Sequence, residues 1–201
     1  MRATMEQWLQ QCPHCGYAAP EIARAHPAAI AAVGTAPFRA VLADPTHPPL
    51  ARRFLGYAYV LEETGALHAA AEATLQAAWV ADDARRPDLA RAWRRDAVAL
   101  WRAGPALDAE QTVRVVDALR RAEAFDDAAA AAGALAATRP PEAVAGVIAL
   151  EERLIAAGDS GRHTVASALP PPSRRPHASH ATVAKRGGGL ADWMRRLFRR
   201  G

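Results

Sequence analysis

The pattern of apolar and polar positions predicts six α-helices between residues 48 and 168. Apolar residues recur there every three or four positions, as they do along one face of a helix. The first stripe comprises Leu50, Phe54, Tyr57, Ala58 and Leu61, and it ends at Gly65. We expect the next five helices to begin at Leu67, Pro87, Asp108, Phe125 and Pro140, and the last to end at Gly158.

Short turns between these segments favour antiparallel helical hairpins, each helix turning its apolar stripe inward. The expected core includes the largest side chains of these stripes. They are Phe54, Leu61, Leu75, Trp79, Trp93, Leu100, Val116, Leu119, Phe125 and Ile148.

Residues 1–47 show no sustained periodicity and are expected to form an irregular N-terminal region. Residues 6–11 indicate a short strand or an extended lead, residues 20–24 and 37–42 a turn or two of helix each, and residues 44–49 a tight turn. Thr35 stands ahead of the second short helix as a candidate N-terminal cap.

Two of the predicted helix–helix corners, in residues 61–70 and 119–128, look alike. Each has a leucine, four residues on a tight corner, an apolar residue two further on and an alanine three beyond that. This spacing is typical of a tetratricopeptide hairpin, in which small residues let two helices pack closely. The two corners are too far apart for neighbouring 34-residue repeats. An irregular bundle with similar corners is therefore the alternative.

The composition supports an all-α fold. Hydrophobic residues make up 51% and aromatic residues only 6% of the chain, alanine supplies much of the hydrophobic share, and β-branched residues are sparse. Such a mixture favours helix over sheet. Because the chain shows neither an apolar leader nor an apolar run long enough to span a bilayer, we expect a cytoplasmic protein.

Both cysteines lie in one short motif, Cys12-Pro13-His14-Cys15-Gly16-Tyr17, and we call residues 12–17 the knuckle. Two thiolates at this spacing can bind one tetrahedral zinc ion, and a following glycine lets the backbone turn with a positive φ. A structural zinc ion needs four ligands, and the sequence has no second cysteine pair. Cys12 and Cys15 are therefore candidate ligands of an incomplete zinc site.

Further ligands for this site have three candidate sources. His26 or His47 can return from the following loop, a homodimer can share the zinc, or a segment upstream can supply a second pair. The same spacing also occurs in dithiol redox sites, but those open a helix after a core strand, and Gly16 disfavours a helix here. Two free thiols without any ligand are the remaining alternative.

No catalytic motif accompanies the knuckle. The sequence contains no Gly-rich phosphate loop, no His-x-x-x-His pair and no nucleophile elbow. The acidic pairs Glu62-Glu63, Asp82-Asp83 and Asp126-Asp127 fall at expected helix ends or exposed faces, where solvation or the helix dipole accounts for them. We therefore expect a protein that is not an enzyme.

The C-terminal part of the chain differs from the rest in charge and pattern. Residues 170–201 carry eight basic residues and one acidic residue, a net charge of +7, which leaves −3 for residues 1–169. Residues 169–189, rich in Pro, Ser and Gly, predict a disordered linker. Residues 190–201 predict a basic amphipathic helix that binds a membrane surface or a partner's groove. Its candidate binding residues are Leu190, Trp193, Met194, Leu197 and Phe198, with Arg195, Arg196, Arg199 and Arg200.

The Cys-Pro-x-Cys-Gly-Tyr knuckle followed by an Ala-rich helical array, including residues 75–83, resembles a family of uncharacterised bacterial proteins. In that family a CxxC zinc-ribbon-like head precedes a tetratricopeptide-like domain. The resemblance covers roughly residues 8–165 and implies zinc at the head. Longer members carry a further CxxC upstream, whereas only Cys12 and Cys15 match the pattern here. The family brings no established reaction.

Two functions follow as expectations. The first is a non-enzymatic adaptor that binds a protein partner through a helical-repeat scaffold with a half zinc site. The second is a peripheral membrane protein anchored to the inner face of the membrane by its arginine-rich helix. A merely solubilising tail is the alternative for that segment. Nucleic acid is the weaker candidate partner, because the body is acidic and the arginines lack a folded platform.

Overall fold

The computed structural model describes residues 2–168, and almost all regular structure there is helical, which confirms the all-α prediction. The α-helices of this part are α1 (Pro27–Val33), α2 (Ala36–Ala43), α3 (Pro49–Glu63), α4 (Leu67–Asp83), α5 (Pro87–Ala103), α6 (Ala109–Arg121), α7 (Phe125–Ala137) and α8 (Glu142–Ala156). Strands β1 (Gln10–Gln11) and β2 (Ala18–Ala19) pair antiparallel, and 3₁₀ turns cover Arg2–Gln7, Ile22–Arg24 and Val165–Ala168. The linker expected at 169–189 and the amphipathic helix expected at 190–201 lie outside the described residues.

Helices α3 to α8 begin where their sequence signals predict. Proline occupies the first turn of α3 and α5, where the missing N–H would have no partner within the helix. Helix α6 begins with a capping box. The Asp108 carboxylate accepts the Gln111 backbone N–H at 2.8 Å, and the Gln111 side-chain oxygen accepts the Asp108 backbone N–H at 2.9 Å.

The N-terminal region contains a helix that the sequence patterns did not predict, namely α1. The Nδ1 atom of His26 accepts the Ala28 N–H at 3.2 Å and so caps α1, with Pro27 in its first turn. Histidine is outside the usual set of N-cap residues, so the sequence carries no standard signal for the start of this helix.

The other expectations for this region are met in part. Helix α2 is confirmed, and the Thr35 hydroxyl caps it by accepting the Phe38 N–H at 3.3 Å. The expected helical turn at residues 20–24 is a 3₁₀ turn over Ile22–Arg24. The strand expected at residues 6–11 is only Gln10–Gln11, because the 3₁₀ turn Arg2–Gln7 occupies the residues before it.

Three connections between consecutive helices have the same length and backbone geometry. They are residues 64–66 between α3 and α4, 84–86 between α4 and α5, and 122–124 between α6 and α7. In each, the middle residue has a positive φ: 79° at Gly65, 56° at Arg85 and 59° at Glu123. The next residue then donates its N–H back to a carbonyl of the preceding helix, at 2.8 to 2.9 Å. This is a Schellman-type helix end.

From α3 to α8 the core consists of three clusters that follow the order of the helices, and a fourth cluster lies between α1, α2 and α3. Of the three, one is shared by α3, α4 and α5, the next by α4 to α7, and the last by α6, α7 and α8. Ala70 and Ala128, the alanines after the two similar corners, are both fully buried and let neighbouring helices approach closely. Helix α8 packs on both α6 and α7.

Most of the predicted core residues are buried, namely Phe54, Leu75, Trp93, Val116, Leu119 and Ile148. The other four residues expected in the core are only partly buried, namely Leu61, Trp79, Leu100 and Phe125. Phe125, for example, is the first residue of α7 and lies at a corner that is partly open to solvent.

The N-terminal region packs directly on α3. Met5 and Leu9 are buried in the same cluster as Phe54, and the Trp8 ring meets the Phe54 ring edge-on at 6.5 Å between centroids. The Arg53 guanidinium donates to the carbonyls of Glu6 at 3.0 Å and Leu9 at 3.3 Å. Trp8 and Leu9 therefore cover α3.

Candidate functional site

The knuckle is the loop of the small β1–β2 hairpin. The Cys12 N–H donates to the Tyr17 carbonyl at 2.8 Å, and the Gly16 N–H donates to the Cys12 carbonyl at 3.0 Å. Gly16 itself has a φ of +75°, in the left-handed region that glycine adopts without steric cost. The short motif thus closes on itself and brings Cys12 and Cys15 to one side of a tight turn.

The backbone of the knuckle also determines the ionisation of Cys12. The backbone N–H groups of Cys15 and His14 point at the Cys12 sulfur, and the Cys15 side chain also hydrogen-bonds it. Together these contacts lower the pKa of Cys12. The thiolate is the form that binds a metal ion. The turn therefore favours the metal-binding form of this side chain.

A contact with α2 holds the knuckle against the helical body. Leu42 of α2 lies so close to Gly16 that a Cβ atom at that position would come within 2.4 Å of Leu42 Cδ1. The same leucine lies against Gly56 of α3, where a Cβ would be 3.0 Å from Leu42 Cδ2. Two glycines thus let one leucine fill the space between the knuckle and α3. The orientation of the knuckle relative to the helices is therefore defined by packing.

The two thiols of the knuckle are of the donor type that zinc prefers, but residues 2–168 supply no further ligand to them. In this part of the chain no three His, Cys, Asp or Glu side chains lie together as a metal-binding group. His26, one of the expected additional ligands, caps α1. His47, the other, lies 3.5 Å from Asp44 and contacts the ring of Trp93. His14, inside the knuckle, is exposed.

A pocket of about 280 Å³ lies next to the knuckle, between β2, α1 and α3. Two phenols line it, and burial raises the pKa of both Tyr17 and Tyr57. Glu21 and Arg24 at its rim pair with each other at 3.0 Å and are largely exposed. The exposed ion pair contributes little energy. Because the raised pKa values keep both phenols protonated, none of these four side chains is activated for catalysis.

Arg120 and Arg121, adjacent at the end of α6, each form an ion pair with another helix. Arg121 and Arg94 of α5 both donate to the Asp82 carboxylate, at 2.7 and 2.6 Å. Burial opposes the ionisation of Asp82, but these hydrogen bonds and charges outweigh it and lower its pKa. Asp82, expected on the sequence to be a solvated helix-end residue, is thus an ion-pair centre between α4, α5 and α6.

Arg120 makes the corresponding connection to the C-terminal helix. It is fully buried, and its Nε donates to Glu151 of α8 at 2.6 Å. Its terminal nitrogens donate to the carbonyls of Asp159 and Gly161, at 2.7 and 2.9 Å, and to the Asp117 carboxylate at 2.8 Å. Burial and the neighbouring Asp117 raise the pKa of Glu151, and Arg120 opposes that shift.

These ion pairs had no sequence signal that separates them from surface charges. The other acids of the three acidic pairs, Glu62, Glu63, Asp83, Asp126 and Asp127, are exposed as expected. The candidate residues of the C-terminal segment, Leu190 to Arg200, lie outside the described residues. None of the helices within residues 2–168 is long and apolar enough to cross a membrane.

Comparison of the chain with protein-family models, with curated proteins and with solved structures gave no match. The resemblance to a zinc-ribbon-like, tetratricopeptide-like family therefore stays a prediction.

Proposed function

We propose that this protein is a non-enzymatic, cytoplasmic interaction adaptor, in which a tetratricopeptide-like array of helical hairpins carries a half zinc site at one end. The observation that supports this most is the repeated Schellman-type corner at Gly65, Arg85 and Glu123. This type of corner occurs at three of the five connections between α3 and α8, and stacked helical hairpins build extended surfaces for binding other proteins.

The placement of the knuckle supports the same function. Pro13, His14 and Cys15 are exposed at the tip of the hairpin, while Leu42 and the Arg53 contacts hold its base on the helices. A partner that binds this tip therefore meets a surface with a defined orientation. Pre-organisation of this kind reduces the entropy lost on binding.

Crosslinking followed by reconstitution tests the adaptor function. The full chain is crosslinked to its neighbours in cells, and each enriched protein is then purified and titrated against the pure chain by calorimetry. We expect at least one direct complex with a micromolar or tighter Kd, which corresponds to about −8 kcal/mol. If no purified candidate binds directly, the adaptor proposal is wrong.

The second candidate function is peripheral membrane attachment through residues 190–201. It is favoured by the apolar stripe of Leu190, Trp193, Met194, Leu197 and Phe198 beside four arginines. Each arginine near an anionic surface contributes about 1 kcal/mol, enough for reversible attachment. The full chain should then float with phosphatidylserine vesicles at low salt, and less so as salt rises.

Matched controls separate the two functions. Flotation should be lost with neutral phosphatidylcholine vesicles and with the double variant Trp193→Ser/Phe198→Ser, whose helical body is unchanged. If the wild-type chain does not float with anionic vesicles at any salt concentration, the membrane function is excluded. Loss of a reconstituted protein complex in the same double variant would instead assign this segment to partner binding.

A further inference from the structure

The knuckle has the ligands and the backbone geometry of one half of a zinc site. Cys12 and Cys15 are free cysteines at the tip of a turn closed by the Gly16 hydrogen bond. A structural zinc ion in proteins is bound by four ligands in a tetrahedron. Within residues 2–168 no third ligand joins the two thiols, so a structural zinc ion bound here would take its other two ligands from outside these residues.

We propose that two copies of this chain share one zinc ion, which is bound by Cys12 and Cys15 of each copy. The proposal extends the half zinc site of the proposed function and names the partner of that site as a second copy. A two-fold axis through the metal ion would relate the copies, so that the same turn supplies both halves of the tetrahedron.

Accessibility of the knuckle allows this arrangement. Pro13, His14 and Cys15 are exposed, and Cys12 is partly exposed, so that both sulfurs can be approached from outside. Their backbone does not have to rearrange, because Leu42 and the hairpin hydrogen bonds already hold the turn. A preformed pair of ligands loses little conformational entropy when the metal binds.

Charge also favours a meeting of two identical knuckles. The sequence from Gln7 to Pro20 contains no Asp, Glu, Lys or Arg. Like charges that meet across an interface between two copies are destabilising. Within residues 7–20 the only negative charges brought together would be those of the four thiolates, and the zinc ion would offset two of them.

Cobalt titration of the full chain tests the proposal, because Co²⁺ replaces Zn²⁺ in tetrahedral sites and is visible in absorption spectra. The chain, reduced and free of metal, is titrated with Co²⁺ while its mass is measured by analytical ultracentrifugation. We expect a tetrahedral, four-sulfur spectrum that saturates at one cobalt per two chains, and conversion of monomer to dimer over the same range. Zinc should displace the cobalt at the same stoichiometry.

Two variants identify the ligands. Cys15→Ser should abolish both the spectrum and the metal-dependent dimer, whereas His14→Ala, at the neighbouring exposed position, should leave both unchanged. Saturation at one metal per chain without dimerisation, no metal binding, or loss of binding in His14→Ala would each overturn the shared site. The adaptor function would survive those results, since direct partner binding is measured independently of metal.

Discussion

Removal of Arg120 should destabilise the protein strongly, because this side chain is fully buried and joins α6 to α8 and to the loop after it. In Arg120→Ala the carboxylate of Glu151, a residue only 5% exposed, loses its charged partner at 2.6 Å. Breaking a buried ion pair by removing one partner costs about 3–5 kcal/mol, because the remaining charge is left uncompensated. Asp159 and Gly161 are not buried residues, so we add nothing for the loss of the bonds to their carbonyls.

Urea unfolding followed by far-UV circular dichroism measures this loss. Arg162→Ala is the matched control, because Arg162 is exposed and lies next to Gly161; its effect should stay within about 0.5 kcal/mol. The double variant Arg120→Ala/Glu151→Ala should be more stable than the sum of the two single losses predicts, by about 1–3 kcal/mol. If Arg120→Ala does not fold, Arg120→Lys, which retains the charge, serves for the same cycle with Glu151→Ala.

The pH dependence of the variant gives a second check. Burial already raises the pKa of Glu151, and loss of Arg120 removes the main interaction that opposes this shift. A carboxyl whose folded-state pKa is raised contributes stability below its unfolded pKa, about 4.3, and loses it as pH rises through the folded value. Arg120→Ala should therefore be closest to the wild type at acidic pH. A loss below about 1 kcal/mol at pH 7, or additivity in the double variant, would refute this account of the buried pair.

Three further predictions concern the corners, the Asp82 ion pairs and the core. Gly65→Ala should destabilise the protein by about 1–2 kcal/mol through its positive φ alone, because a Cβ there meets no atom within 4 Å. Arg85→Gly should instead stabilise it by up to about 1 kcal/mol. A stabilised Gly65→Ala or a destabilised Arg85→Gly in urea unfolding would contradict the shared corner geometry. Because the pKa of Asp82 is lowered, the stability it contributes is present above its unfolded pKa of about 3.9 and is lost as pH falls through the folded value. In Asp82→Asn the free energy of unfolding should therefore fall less steeply at acidic pH than in the wild type. An unchanged pH dependence would argue against the ion pairs. Trp101→Ala should cost about 3–5 kcal/mol in thermal or urea unfolding, and the partly buried Trp79→Ala less; the reverse order would contradict the packing.

The turn that carries Cys12 and Cys15 could be predicted from sequence because it is local. The glycine after the second cysteine favours a tight turn, and residues 12–17 form one between β1 and β2, with Gly16 at a positive φ. The orientation of the knuckle could not be predicted. It depends on Leu42, 26 residues after Gly16, filling the space that two glycines leave. Likewise, spacing left His26 and His47 open as ligands, and only the fold shows them engaged elsewhere.

The sequence by itself determined the all-α class and the positions of α3 to α8, because apolar periodicity, prolines at helix starts and the Asp108 capping box all act within a few residues. Corners without glycine, as at Arg85, carry no such local signal, although the middle residue has a positive φ there as at Gly65. Only the tertiary structure decided which charges are buried. Arg120 and Arg121 are neighbours in one helix end, yet one reaches Glu151 and the other Asp82, 31 and 39 residues away. The sequence around a charged residue at a helix end does not show whether water or a distant carboxylate balances its charge. The ion pair with a distant carboxylate forms only when the helices pack.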